Sequence, residues 1–204
     1  MTAEPGPVAV LLAGGLARRI GGGDKPLRVL AGRTLLDHAV GRMRPQVRAI
    51  VVNANGDPER FAAWRLPVVA DPVPENPGPL AGVLAGMMWV RENAPDCADV
   101  VSVPTDTPFL PGDLVARLEA ARRQGSVPIA CAGSGGRRHP VVALWPVRLA
   151  DDLAASLAAG LRKIEDFSAR HGVAVANFSD QPDPFFNVNR PEDLAQAARL
   201  LAGC

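Results

Sequence analysis

Short apolar runs alternate along the first half of the chain with stretches whose apolar residues recur at helical spacing. Val8 to Leu12, Ala49 to Val52 and Pro67 to Ala70 read as strands, with helices predicted over Thr34 to Met43, Pro58 to Trp64 and Leu80 to Glu92 between and after them. Asp99 to Val103 follows as another buried strand ending at Pro104-Thr105-Asp106, then Gly112 to Arg123 as a helix with Pro111 near its start, then Pro128 to Ala132 as a strand. The first run is continuously apolar rather than alternating, which fits a buried parallel strand, and repeated βα units imply a mainly parallel, doubly wound sheet.

The second half departs from that alternation. Gly133 to Gly136 reads as a turn and Val141 to Trp145 as a strand, followed by helices over Arg148 to Ala159 and Lys163 to His171. Val173 to Asn177 and Phe185 to Val188 read as short late strands, and Pro191 opens a last helix to about Leu201.

With 204 residues, 48% of them hydrophobic, the chain can bury one substantial core, and no linker or repeat divides it, so a single domain over 1–204 is expected. Net charge of +1, from 22 basic and 21 acidic residues, gives no field suited to nucleic acid or an anionic membrane. The three cysteines, Cys97, Cys131 and Cys204, are odd in number and widely spaced, which suggests neither a disulfide framework nor a zinc site and fits a reducing cytoplasm. No apolar run approaches the roughly 18 residues that span a bilayer, and Met1 to Gly6 lacks the pattern of a leader; a cytoplasmic protein without membrane attachment is expected.

Chemistry enters with residues 12–26, LAGGLARRIGGGDKP, which leave the first strand and combine five glycines with Arg18, Arg19 and Lys25. A loop at the carboxyl edge of a parallel strand is where open α/β folds bind ligands, and glycines let backbone N–H groups approach an anion. A Walker A loop is excluded because Lys25 lies between Asp24 and Pro26. A dinucleotide fingerprint is excluded because Pro26 falls where its third glycine belongs. A wider loop with separated cations suits a triphosphate.

Asp106 is the strongest single candidate for catalysis. It follows a buried strand and lies between two prolines, at the sheet edge facing that loop, where a carboxylate can bind Mg²⁺ together with phosphate oxygens and water. The alternative, a cap for the helix near Pro111, places it five residues too early. Arg19 and Lys25 are fixed cations suited to charge developing on phosphate oxygens, Arg19 as a planar fork and Lys25 as a point charge, with Arg18 accessory. No Ser-His-Asp or Cys-His arrangement is apparent, and attack by a substrate phosphate oxygen needs no protein nucleophile. Asn53 and Asp71 end the second and third strands, where base or ribose could be read, with a turn through each side chain as the alternative. Asn187 and Asn189 alternate along the late strand and so share one face, with turn formation as the alternative. His38 and His171 read as helix residues without chemistry.

LAGG-x-A-x-R-x-GG-x-DK resembles the amino-terminal signature of the molybdenum cofactor guanylyltransferases, within the nucleotidyltransferases that act on sugar phosphates and cofactors. The resemblance continues through Val52 to Asn55, Asp71, Pro77 to Gly82, Pro104 to Pro108, His139-Pro140 and Phe186 to Leu194, nearly the whole chain. It implies a three-layer, Rossmann-like α/β nucleotidyltransferase fold with a mainly parallel mixed sheet, the amino-terminal half binding nucleotide and the carboxyl-terminal half the acceptor. It implies GTP and molybdopterin as substrates and Mg²⁺ as cofactor. Leu12, Ala13, Gly14, Gly15, Lys25, Asn53, Asp71 and Asp106 would bind nucleotide, with Asp106 also on the metal; His139, Asn187 and Asn189 would contact the acceptor. Molybdenum-insertion proteins and molybdoenzyme chaperones are implied partners of a monomer. Leu16 stands where a lysine is frequent, Ile20 for methionine and Thr105 for cysteine, and none of these removes a charge assigned to catalysis. A cytidylyl or sugar-phosphate transferase, or a non-catalytic cofactor carrier, would share much of this pattern; Gly14-Gly15 favours the guanylyl members.

Overall fold

In a computed structural model of the protein, which describes residues 6–14, 24–73 and 78–203, the apolar run Val8–Leu12 forms an interior strand, β1, buried at every position. The chain continues through a small hairpin, β2 (Val29–Leu30) and β3 (Arg33–Thr34), into α1 (Leu35–Met43), β4 (Ala49–Asn53), β5 (Val68–Val69), α2 (Pro79–Asn93), β6 (Asp99–Pro104) and α3 (Leu114–Gly125). The rest comprises β7 (Ile129–Ser134), β8 (Arg137–Pro146), α4 (Ala150–Ala158), α5 (Ile164–His171), β9 (Val173–Phe178) and α6 (Pro191–Ala202). Pro58–Trp64, expected as a helix, is a 3₁₀ segment.

Seven strands share one sheet in the order β5-β4-β1-β6-β8-β7-β9, so both halves of the chain contribute to it. Only β8 runs against its neighbours, pairing antiparallel with β6 and β7. Alternate residues of each buried strand serve opposite cores. Val8, Val10 and Leu12 pack with α2, α4 and α5 on one face. Ala9 and Leu11 pack with α1, α3 and Phe61 on the other, which gives the three layers. A third cluster of Leu30, Leu35, Phe109, Val188 and Ala197 brings the hairpin and α6 together at the sheet's carboxyl edge.

Helix α2 lies close on β1 because it carries glycine on the face that meets the sheet. A Cβ on Gly86 would stand 2.1 Å from Val10 Cγ2, and Val10 is fully buried and branched, so it cannot swing aside. Gly86→Ala is therefore expected to destabilise the fold by about 1–3 kcal/mol through overpacking, read as a lower urea midpoint at unchanged slope.

The structure corrects two further expectations and adds one element. Gly133 to Gly136 is not a four-residue turn: β7 continues through Ser134 and β8 begins at Arg137, with only Gly135 (φ +54°) and Gly136 (φ +75°) between them. Two consecutive positive φ values make the tight hairpin turn whose twist matches its strands, so the ladder runs on to its end. Phe185 to Val188 is not a strand: the Asp183 side chain accepts the Phe185 N–H at 3.0 Å and its carbonyl the Phe186 N–H at 3.1 Å, closing a turn. Asn187 and Asn189 thus share no strand face. The β2–β3 hairpin was not anticipated, because its turn puts Ala31 at φ +49°, a conformation for which alanine carries no signal.

Candidate active site

From β1 the chain proceeds to β4 and β5 on one side and then to β6 on the other, so the strand order reverses between β1 and β6. Ligands of open α/β sheets bind in the crevice at such a switch point, beyond the carboxyl ends of the strands. Register brings the strand ends level there, with Leu12 opposite Asn53 on one side and Pro104 on the other. Ala13 N–H donates to the Asn53 carbonyl at 2.9 Å, and Thr105 N–H to the Leu12 carbonyl at 3.4 Å, which places Asp106 at the mouth of the crevice. Helix α3 begins at Leu114, so Asp106 caps nothing.

Lys25 reaches this point from a 3₁₀ turn over Lys25–Leu27, whose start is anchored by Asp24 in an ion pair with Arg60 at 2.7 Å. Arg60 in turn donates to the Asn55 carbonyl at 2.6 Å, so the end of the glycine-rich segment is tied to the loop after β4. The Lys25 ammonium forms an ion pair with Asp106 Oδ2 and donates to Asn189 Oδ1 at 2.6 Å. Only 17% of the Lys25 side chain and 18% of the Asp106 side chain are exposed, so the pair is shielded. Asn189 is held there by Asp193, whose Oδ2 accepts the backbone N–H groups of Asn189 and Arg190 at 2.8 Å each. Val188 N–H donates to the Asp106 carbonyl at 2.9 Å, fastening the same segment to the end of β6.

The other Asp106 oxygen, Oδ1, is buried and has no hydrogen-bond partner among the described residues. An orphaned carboxylate oxygen at this depth is costly unless something occupies it, and a hard cation is the natural occupant. No group of three His, Cys, Asp or Glu side chains stands ready to hold a metal among the described residues, so an ion here would take one carboxylate and draw its remaining ligands from substrate and water.

Asn53 and Asp71 lie together on the opposite side of β1. Asn53, 4% exposed, donates to Asp71 Oδ1 at 2.9 Å, and Asn55 donates to Asp71 Oδ2 at 2.8 Å while accepting the Asp71 backbone N–H at 2.9 Å. Gly82 makes room for this cluster, since a Cβ there would lie 2.3 Å from Asn53 Oδ1 and 2.5 Å from Leu12 Cδ2. Leu12 and Ala13 are buried and Gly14 is exposed at the start of the loop, whereas Gly15 and Arg19, with Arg18, lie outside the described residues.

Beside Asp106, toward β8, opens a cleft of about 280 Å³ lined by Thr107, Arg138, His139, Val141, Phe185 and Asn187 among others. Its wall exists because the β7–β8 register slips: Cys131 pairs with Ala143 but Ala132 pairs with His139, which leaves Pro140, Val141 and Val142 outside that ladder. Proline has no N–H to give a ladder, so the bulge falls where pairing loses least. His139 stacks on Phe185 with ring centroids 4.7 Å apart. Burial pushes its pKa below the usual histidine value, against an upward pull from Asp183, with Arg137 adding to the fall. Thus Lys25, Asp106 and Asn189 are in direct contact, Asn187 and His139 line the adjoining cleft, and Asn53 with Asp71 forms a separate pair across β1.

Sequence reasoning passed over Asn55, Ser134, Asp183 and Asp193. For Asp183 a signal was available, since an aspartate between Pro182 and Pro184 repeats the pattern that marked Asp106. His38 and His171 are engaged elsewhere, His38 Nε2 with the Leu30 carbonyl at 2.9 Å and His171 with Asp152 at 2.8 Å. Cys97 and Cys131 are buried free thiols. No helix among the described residues is long and apolar enough to cross a membrane.

The MobA-like NTP transferase domain matches residues 9–196. A molybdenum cofactor guanylyltransferase of Rhodopseudomonas palustris is 54% identical over 98% of this chain and 96% of its own length. Another, of a Bradyrhizobium species, is 56% identical over 98% and 94%. The fold matches the crystal structure of molybdopterin-guanine dinucleotide biosynthesis protein A from Archaeoglobus fulgidus with a TM-score of 0.76, at 22% identity, over 97% of this chain and 100% of that one. Such identity over nearly the full length leaves one conclusion: the chain belongs to the MobA-like NTP transferases, in the family of the molybdenum cofactor guanylyltransferases.

Proposed function

We infer that this protein transfers GMP from GTP to molybdopterin carrying molybdenum, releasing pyrophosphate and forming the guanine dinucleotide form of the cofactor. The observation that carries this reading is the shielded contact of Lys25, Asp106 and Asn189 at the switch point, with a cleft for an acceptor directly beside it. A phosphate oxygen of the pterin forms the new bond to the α-phosphorus, and the bond to the β-phosphate breaks with its electron pair leaving on pyrophosphate. The protein has only to place the two substrates in line and neutralise charge.

The amino-terminal half supplies the nucleotide subsite. Leu12 and Ala13, buried at the end of β1, form the floor of the phosphate site, where Gly14 and Gly15 would offer backbone N–H groups and Arg19 and Lys25 the cations. Asn53 and Asp71 read the nucleoside: a carboxylate offers only acceptors, which suits the N–H donors on the base-pairing edge of guanine. Nucleotidyltransferases of this family generally use a divalent metal, and the unpartnered Oδ1 makes Asp106 the residue to hold it, here as Mg²⁺. When bound, it would neutralise charge on the phosphates. The carboxyl-terminal half supplies the acceptor subsite: His139 and Asn187 on the cleft wall, Asn189 at its junction with Lys25, and Arg138 as a cation on the lining. Lys25 links the halves, touching a residue 81 positions away and another 164 away.

Pyrophosphate release by the purified protein with Mg²⁺ and molybdopterin, comparing GTP with CTP, ATP and UTP, tests the reading. Release that needs the pterin and prefers GTP is the expected result. Preference for CTP would overturn the choice of base, and nucleotide binding without release would overturn catalysis altogether.

A further inference from the structure

The acceptor cleft ends in a chain of polar contacts that nucleotide transfer as derived above does not use. Ser134 Oγ, at the end of β7, lies 2.8 Å from Asp183 Oδ1 and 2.8 Å from His139 Nε2. Ser134 is only 7% exposed, and the same Asp183 oxygen also accepts the Phe185 N–H at 3.0 Å. Counting hydrogens settles the direction of the chain. A carboxylate has none to give and a hydroxyl has one, so Ser134 donates to Asp183 and must accept from His139. The proton of the neutral imidazole therefore sits on Nε2, and Nδ1 carries a lone pair. Nδ1 has no hydrogen-bond partner among the described residues, on a ring that lines the cleft and packs against Phe185 at a tilt of 37°.

This order, with serine in the middle, cannot make Ser134 a nucleophile: its hydrogen points to Asp183, and the histidine is its donor rather than its base. What the chain does is choose a tautomer. A histidine in a cleft can present either a donor or an acceptor to a ligand, and the group bonded to its second nitrogen decides which.

We propose that Asp183 and Ser134 are positioning residues that hold His139 as the Nε2–H tautomer, so that Nδ1 accepts a hydrogen bond from a ring or exocyclic N–H of the heteroaromatic acceptor. The proposal rests on the acceptor reading of the cleft given above. It makes the subsite selective for acceptors that present an N–H at that point, because a flipped tautomer would set two donors against each other. Depression of the His139 pKa by burial keeps the ring neutral and so preserves the lone pair.

The test uses full-length protein labelled with ¹⁵N-histidine, His139 being assigned from the signal lost in His139→Gln. The imidazole nitrogens of His139 are expected to report a protonated Nε2 and an unprotonated Nδ1. In Asp183→Ala the freed Ser134 hydroxyl can donate to Nε2, so the pattern should shift toward Nδ1–H. In steady-state assays Ser134→Ala and Asp183→Ala should each raise the KM for the pterin about tenfold, the worth of one hydrogen bond, with the KM for GTP unchanged. Asp183→Asn, whose amide oxygen still accepts the Ser134 hydroxyl, should restore the pterin KM; a merely structural turn residue would give no such rescue. An Nδ1-protonated His139 in the unsubstituted protein, or a pterin KM unmoved in folded Ser134→Ala, would overturn the proposal. Failure of the transferase reading has a different signature: the unsubstituted protein would show no pterin-dependent turnover, whatever tautomer its His139 displays.

Discussion

Asp106→Asn lowers turnover by about 10²–10³, the usual cost of removing one preorganised electrostatic contact from a phosphate-transfer or acyl-transfer site. The side chain keeps its size and its place at the end of β6, where Val188 N–H still binds its carbonyl, so packing is untouched. What disappears is the negative charge that orients Lys25 through Oδ2 and leaves Oδ1 open for a cation. Pyrophosphate release at saturating GTP and pterin measures the loss, and thermal unfolding by circular dichroism should place the variant close to the unsubstituted protein. Turnover within tenfold of normal would remove Asp106 from the reaction.

Lys25→Met should cut turnover about 10²-fold if the proposed role holds, since a cation is then lost from a shielded site where charge develops on phosphate oxygens. It should also have an effect of opposite sign in the nucleotide-free protein. There Lys25 is the partner that neutralises Asp106, so it competes with any divalent ion for the same carboxylate. Calorimetric titration with Mg²⁺ alone should therefore show tighter binding in Lys25→Met than in the unsubstituted protein, even as catalysis falls. The double variant with Asp106→Asn should lose less than the product of the two single losses, since each substitution already disables a shared contact. Equal Mg²⁺ affinity in the two proteins would mean that the ion pair is dispensable to the carboxylate.

Much of the architecture was legible because burial on both faces leaves apolar runs: Val8–Leu12 is one without interruption, and the four buried residues of β6, Val100 to Val103, are broken only by Ser102. The meeting of Asp106 with the loop that ends at Lys25 was legible for the same reason, since adjacent parallel strands deliver their carboxyl ends to one edge. Legibility failed where side chains rather than periodicity decide the backbone. The Phe185 to Val188 segment has apolar residues at strand-like spacing, yet Asp183 captures its N–H groups and turns it. The β2–β3 hairpin rests on an alanine in a left-handed conformation, stabilised by context that no local pattern carries. The serine-mediated chain to His139 was hidden as well, because Ser134, His139 and Asp183 are brought together by a hairpin and a late turn that are unrelated in sequence.

The bond from Val188 to the Asp106 carbonyl sets an order of events during synthesis. A chain emerging from its amino terminus carries Lys25 and Asp106 long before Asn189 has been made, and the first five strands of the sheet order β5-β4-β1-β6-β8 contain nothing beyond residue 146. Closing a contact over 164 residues comes late, after the local βα units have paired. The pocket is thus the last part of the molecule to be finished. A chain interrupted just before Asn189 would keep every strand of the sheet and lose the latch on Lys25, so a truncated product is expected to retain its core while its turnover falls.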